Sequence, residues 1–126
     1  MNEVVYDAAV LIAADRNDRN VWADHRALLE DGVVPMVPAP VLAQVSRSAK
    51  QVQLRRLLRG CIVVPLDEPG AHAAGRLLAA AGDSDVVDAS LVVVAVKHRA
   101  RIVTGDPGDI GSLVAACGVR LAVTPI

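Results

Sequence analysis

Three aspartates stand where an α/β chain tends to place its chemistry. Asp7 directly follows the apolar run Val4-Val5-Tyr6, Asp106 lies two residues past Ile102-Val103-Thr104, and Asp88 falls early in the apolar stretch that opens near Asp85. Asp85 precedes Asp88 by three residues, so both project from one helical face; Asp109 follows Asp106 by three and can face the same cleft. Such a set of carboxylates suits a hard divalent cation. Mg²⁺ and Mn²⁺ prefer oxygen ligands, and Mg²⁺ usually takes one or two carboxylates together with waters and phosphate oxygens. A cation so held orients water, lowers its pKa and neutralises charge building up on a phosphoryl group. Converging carboxylates without a cation repel one another and push some pKa values upward. Each residue also has a plainer role open to it. Asp85 fits a helix cap, Asp109 a favourable charge at a helix N-terminus, Asp106 an ordinary turn residue in Thr-Gly-Asp-Pro-Gly, and Asp7 a loop residue.

The elements that must position these acids alternate between short β-branched runs and longer Ala/Leu-rich segments. Strands are expected at Val4–Tyr6, within Val33–Pro38, at Ile62–Pro65, at Ile102–Thr104 and at Leu121–Val123. Helices are expected at Ala8–Ala14, Val21–Glu30, Pro40–Ser46, Gln51–Leu58, Pro69–Ala81, from Ser84 or Asp85 to about His98, and from Pro107 to Cys117. The alternation predicts an α/β domain with a mainly parallel central sheet and helices on both faces, in which sites form beyond the carboxyl ends of the strands. Asp7 and Asp106 fall at such ends.

The length of 126 residues suits one domain spanning the chain. Hydrophobic residues make up 53% and aromatics 2%, so Ala, Val and Leu must build the core, which argues against an aromatic stacking platform for single-stranded nucleic acid. The formal net charge of −1 argues only weakly against polyanion binding, because local patches matter more than totals. Cys61 and Cys117 form no metal motif and no disulfide framework, and they read as free thiols of a reducing compartment. Met1-Asn2-Glu3 opens no signal peptide, and the apolar stretch Val86–Val96 is too short to span a bilayer and carries Asp88. The expected location is cytoplasmic, with no membrane partner.

Four segments together resemble the PIN-domain ribonucleases. Val4–Ile12 resembles their opening strand and helix, Val37–Val45 their second motif, Asp85–Ala89 the third and Ile102–Ile110 the fourth, in the family's order and across nearly the whole chain. The short length resembles the VapC-type toxins of prokaryotic toxin–antitoxin pairs, and the Ala/Val/Arg-rich style resembles actinobacterial members. The resemblance implies a three-layer α/β/α PIN-like fold and a Mg²⁺- or Mn²⁺-dependent endoribonuclease. It implies Asp7, Asp88 and Asp106 as the metal-binding, catalytic acids, Asp85 and Asp109 as supporting acids, and Thr104 as a hydroxyl that holds a carboxylate or a water. It further implies a structured RNA substrate (transfer or ribosomal RNA), a VapB-like antitoxin that silences the enzyme, and a homodimer.

One position departs from the pattern. The family's second acid is usually Glu, and Gln44 stands there. An amide oxygen still ligates a hard cation or holds a water, but it brings no negative charge and cannot act as a base. The expectation is weaker metal affinity unless Asp85 or Asp109 compensates. Gln44 therefore supports a second reading, a catalytically weak or inactive PIN-like module that binds RNA or an antitoxin.

Arg47, Lys50, Arg55, Arg56 and Arg59 cluster after Gln44. Arg55 and Arg59 lie one helical turn apart, opposite Leu54, Leu57 and Leu58, and are candidates for RNA phosphates; an ordinary solvated helix face is the alternative. Arg16 and Arg19 are weaker candidates. Val52–Leu58 is also a candidate groove wall for an antitoxin helix. His25, His72 and His98 show no ligand spacing, and Trp22 with Leu28-Leu29 reads as core or interface. A receiver-like phosphoacceptor at Asp67 lacks the paired acids after the first strand, a haloacid-dehalogenase-like reading lacks a second aspartate after Asp7, and no P-loop, dinucleotide fingerprint or nucleophile elbow is present.

Overall fold

The computed structural model describes residues 2–126. In chain order the elements are β1 (Val4–Tyr6), α1 (Ala8–Asp15), α2 (Arg19–Glu30), β2 (Met36–Pro38), α3 (Ala39–Val45), α4 (Val52–Leu58), β3 (Ile62–Val64), α5 (Glu68–Ala81), α6 (Val86–His98), β4 (Arg101–Thr104), α7 (Pro107–Ala116) and β5 (Val123–Pro125). The strands form one parallel five-stranded sheet in the order β3-β2-β1-β4-β5. β1 lies at the centre, with Val5 opposite Met36 on one side and Ile102 on the other.

The burial of β1 explains the layering. Successive strand residues point to opposite faces, yet Val4, Val5 and Tyr6 are all buried. A strand buried on both faces needs helices on both, as parallel sheets do. α1 packs against α2, α3 and α4; α6 packs against α5 and α7; α3 touches both α1 and α6. The core is aliphatic, with Leu11, Leu54, Leu57, Leu91, Ile102, Ile110 and Leu113 among its largest fully buried side chains. Trp22 and Leu28 pack partly buried against it, while Leu29 is exposed. Both cysteines are free and half-buried, and burial pushes the Cys61 thiol up to about 12.

Aspartates start the helices. Asp7, Asp18, Asp67, Asp85 and Asp106 each occupy the N-cap of the helix that follows and accept a hydrogen bond from a backbone N–H of its first turn. The expected helix at Gln51 begins one residue later. Gln51 is its N-cap, and its amide oxygen accepts from the N–H groups of Arg47 and Ser48 in the preceding loop instead of capping the helix. The last strand is displaced from Leu121–Val123 to Val123–Pro125. Parallel pairing with β4 sets its register, with Val123 opposite Ile102 and Pro125 opposite Thr104, and Pro125 is tolerated at the end of an edge strand. Among the described residues no helix is long and apolar enough to cross a membrane.

Candidate active site

The strand order reverses at β1, between β2 and β4, and ligands of open α/β sheets bind outside the carboxyl ends of the strands at such a switch point. Asp7 follows β1 and Asp106 follows β4, so the topology brings together residues far apart in sequence. The Asp7 N–H donates to the carbonyl of Val103 at 2.9 Å, which ties the two strand ends.

Thr104 is the centre of the arrangement. It is fully buried, its Oγ1 donates to Asp7 Oδ2 at 2.6 Å, and the same oxygen accepts from the Asp106 N–H at 3.0 Å. Asp7 Oδ1 accepts from the Ala8 N–H at 2.7 Å. Asp7 is itself nearly buried and thus fixed through both carboxylate oxygens. Asp106 Oδ1 accepts from the Asp109 N–H at 3.3 Å, and Asp85 Oδ1 from the Asp88 N–H at 3.0 Å. The plainer role open to Asp85, a helix cap, is the one it takes, and Asp7 and Asp106, whose plainer roles were a loop and a turn residue, cap helices as well.

The electrostatics show that the acids share one field. Burial pushes the half-buried Asp88 carboxyl up to about 6, and the charges of Asp85, Asp7, Asp106 and Asp83 push it the same way. A hydrogen bond with the Asp106 carboxylate, and then its charge, raise Asp109, which is fully exposed. Among the described residues the ion pairs are His72–Glu68 and His98–Glu3, so no basic side chain pairs with any of these acids. Asp83 was not expected from sequence. It accepts from the N–H groups of Ser84 and Asp85 and joins the field from the turn before α6. The acid-rich turn Asp83-Ser84-Asp85 was the available signal.

Gln44 is exposed on α3, which packs against both α1 and α6, and among the described residues its side chain makes no hydrogen bond. The basic cluster divides. Arg47 is exposed and donates to the carbonyls of Ala43 and Ser46, and Arg56 lies over the Trp22 ring at 4.4 Å with a further hydrogen bond to Gln53. Arg55 donates one hydrogen bond to the Ala49 carbonyl, and Lys50 and Arg59 are exposed. Gln51 donates to Asp15 at the end of α1, which brings the turn bearing Arg16 and Arg19 beside this loop. His25 is buried and bonded to the Tyr6 hydroxyl at 2.9 Å; burial lowers its pKa and raises that of Tyr6. His72 and His98 lie away from the acids, each against a glutamate.

The PIN domain family model matches residues 4–109, which takes in the first three motif segments, the fourth as far as Asp109, and Asp7, Asp83, Asp85, Asp88, Asp106 and Asp109. The chain belongs to the PIN-domain family. No curated protein sequence matches it. Among solved structures it is similar to VapBC2 from Rickettsia felis bound to a promoter DNA fragment, with a TM-score of 0.72, 15% identity and 98% of each chain covered. It is similar to FitAcB from Neisseria gonorrhoeae, with a TM-score of 0.64, 20% identity and 96% of each chain covered. It is also similar to a toxin–antitoxin complex from Klebsiella pneumoniae, with a TM-score of 0.67, 18% identity, and 84% of this chain and 88% of that one covered. At these identities the likeness is one of fold.

The donor set of this PIN domain has the chemistry of a divalent-cation site. The acids are hard oxygen donors, mutually repelling and free of basic partners among the described residues, which is the environment a hard cation relieves. Among the described residues, however, no three His, Cys, Asp or Glu side chains close into a ready-made metal shell. Mg²⁺ keeps several waters and takes few protein ligands, so it does not require such a shell.

Proposed function

We propose that this PIN domain is a metal-dependent endoribonuclease of the toxin type, with Asp7, Asp88 and Asp106 holding Mg²⁺ or Mn²⁺ and Asp85, Asp109, Thr104 and Gln44 supporting them. The carrying observation is the convergence of Asp7 and Asp106 on the buried Thr104 hydroxyl at the carboxyl end of the sheet, with Asp88 in the field of both and, among the described residues, no ion pair to any of these acids. When bound, the ion would supply an activated water and stabilise the oxygen leaving phosphorus in an RNA phosphodiester. Thr104 holds the Asp7 carboxylate in one orientation, and Asp85 fixes the first turn of α6 from which Asp88 projects. Gln44 offers an amide to a ligand-bound water or a ribose hydroxyl but no charge. Lys50, Arg55 and Arg59 would take RNA phosphates, while Arg47 and Arg56 contribute to this surface through the contacts that shape it.

Structured RNA, transfer or ribosomal, is the proposed substrate. A VapB-like antitoxin is a proposed partner, supported by the similarity to VapBC2 and to a toxin–antitoxin complex, and a second copy of the chain is the other proposed partner. A cytoplasmic location follows from that role. The second reading, an RNA- or antitoxin-binding module without turnover, is favoured by the uncharged Gln44. Purified chain incubated with total RNA in EDTA, Mg²⁺ or Mn²⁺ separates them. Cutting that needs the metal and vanishes in Asp88→Asn supports the nuclease. Intact RNA with preserved RNA binding supports the module.

A further inference from the structure

The pole of the sheet opposite the acids carries a second surface. A broad open bowl of about 1800 Å³ lies at the amino ends of the strands, lined by Glu3, Met36, Ile62, Arg101 and Ala122 at or beside the starts of all five. Four large aliphatic side chains line it while standing well exposed: Val34 at 47%, Ile62 at 55%, Val63 at 40% and Val119 at 38%. Isolated exposed aliphatics are ordinary, but several gathered in one concavity mark an interaction surface. Arg99, Arg101 and Arg120 line the same bowl, and among the described residues none of them forms an ion pair. Its acids are Glu3, held by His98 at 3.6 Å, and Asp31. Arg99 stands at the end of α6 in the left-handed region, φ 51°, where glycine is the unstrained residue. The chain thus holds a charged side chain at a position whose backbone favours none.

From this geometry we infer that the bowl docks an acidic, aliphatic segment of a partner protein, at a surface distinct from the acid end. Aliphatic anchors would settle against Val34, Ile62, Val63 and Val119, and carboxylates would meet the three arginines. The apolar lining decides for a peptide over RNA. The chain's aromatics, Tyr6 and Trp22, are absent from the bowl, so bases would find no ring to stack on. The inference holds whether or not the acids cut RNA.

The test screens the full chain against a display library of random dodecapeptides and maps the winners by backbone amide chemical shifts. Enriched peptides should be acidic with at least two aliphatic residues, and they should shift the amides of Val34, Val119 and Arg120 while leaving those of Asp88 and Asp109 in place. Val34→Asp, and Arg99→Glu combined with Arg120→Glu, should each weaken them by roughly tenfold or more. Arg99→Gly should weaken binding while leaving the melting temperature unchanged or higher, a combination that a merely structural arginine would not produce. No enrichment, peptides without net negative charge, or binding indifferent to these variants would overturn the proposal. So would a uridine-rich RNA dodecamer that shifts the same amides and is lost in the same variants.

Discussion

Replacing Thr104 by Val tests the hydroxyl at the centre of the acid cluster with almost no change in shape. Thr104 is fully buried, donates at 2.6 Å to Asp7 and accepts at 3.0 Å from the Asp106 N–H. A hydrogen bond to a charged group contributes about 1.5–3 kcal/mol, and a buried N–H left without an acceptor costs about 1–3 kcal/mol. Asp7 is nearly buried but keeps its bond from the Ala8 N–H, and Asp106 is exposed, so water recovers part of each loss. The expected cost is therefore about 2–4 kcal/mol, or a fall in melting temperature of roughly 10 °C for a domain of this size. Thr104→Ser keeps the hydroxyl and removes one buried methyl, for about 1 kcal/mol. Thermal and urea unfolding in chelator give the stabilities, and Mn²⁺-dependent stabilisation reports whether Asp7 still presents its free lone pairs correctly. The order native, Ser, Val should hold in both measurements. A Val variant as stable as native, or Ser worse than Val, would show that the position needs the methyl and that the Thr104–Asp7 bond does not organise the site.

Three further outcomes follow from the same geometry. Burial and the neighbouring carboxylates push the Asp88 carboxyl up to about 6 from its ordinary 3.8, so the folded state binds this proton more tightly than the unfolded chain. Stability from this group is present at low pH and is lost as pH rises from about 4 to about 6; in chelator, Asp88→Asn should therefore stabilise the protein most at neutral pH and least at pH near 4. His25, whose pKa burial lowers, works in the opposite sense, losing stability as pH falls below the ordinary histidine value of 6.5, and it cancels in the difference between the two proteins. Gly105→Ala would place a Cβ 2.8 Å from the Cβ of Ala9, for a cost of about 1–3 kcal/mol, and adding Ala9→Gly should restore most of the melting temperature. Arg55→Glu with Arg59→Glu should weaken RNA binding and flatten its salt dependence in filter-binding titrations without lowering the melting temperature, whereas Arg56→Ala should cost about 0.5–1 kcal/mol of stability through its lost stacking on Trp22.

The placement of the acids was legible because it depends on local rules. A β-branched run followed by Asp and then a helix puts that residue both at a strand end and at an N-cap; Asp7 follows this pattern directly and Asp106 after Gly105, while Asp85 is legible as a cap alone, between α5 and α6. The sheet was legible from the alternation of elements, although its last strand was not. Leu121 and Val123 are similar in apolar character, and only pairing with Ile102 selects the later register. The fate of Arg56 was hidden because it depends on a neighbour supplied by the fold, Trp22 on α2, whereas Arg47 bonds locally to the end of its own preceding helix, α3. The resemblance named Gln44 as the odd member of the set. Its exposure on a helix that spans α1 and α6 shows that substitution there meets no packing constraint.

The claim that the acids at the carboxyl end of the sheet form a metal site is tested most directly by Mn²⁺ titration of metal-free protein, followed by calorimetry and by the electron paramagnetic resonance of the free ion. The account predicts saturable binding that is lost in Asp7→Asn and in Asp88→Asn, is strengthened in Gln44→Glu, and is unaffected in Asp67→Asn, whose carboxylate caps α5 outside the shared acid field. Binding that is absent from the native chain, or equal in native, Asp7→Asn and Asp88→Asn proteins, would contradict it.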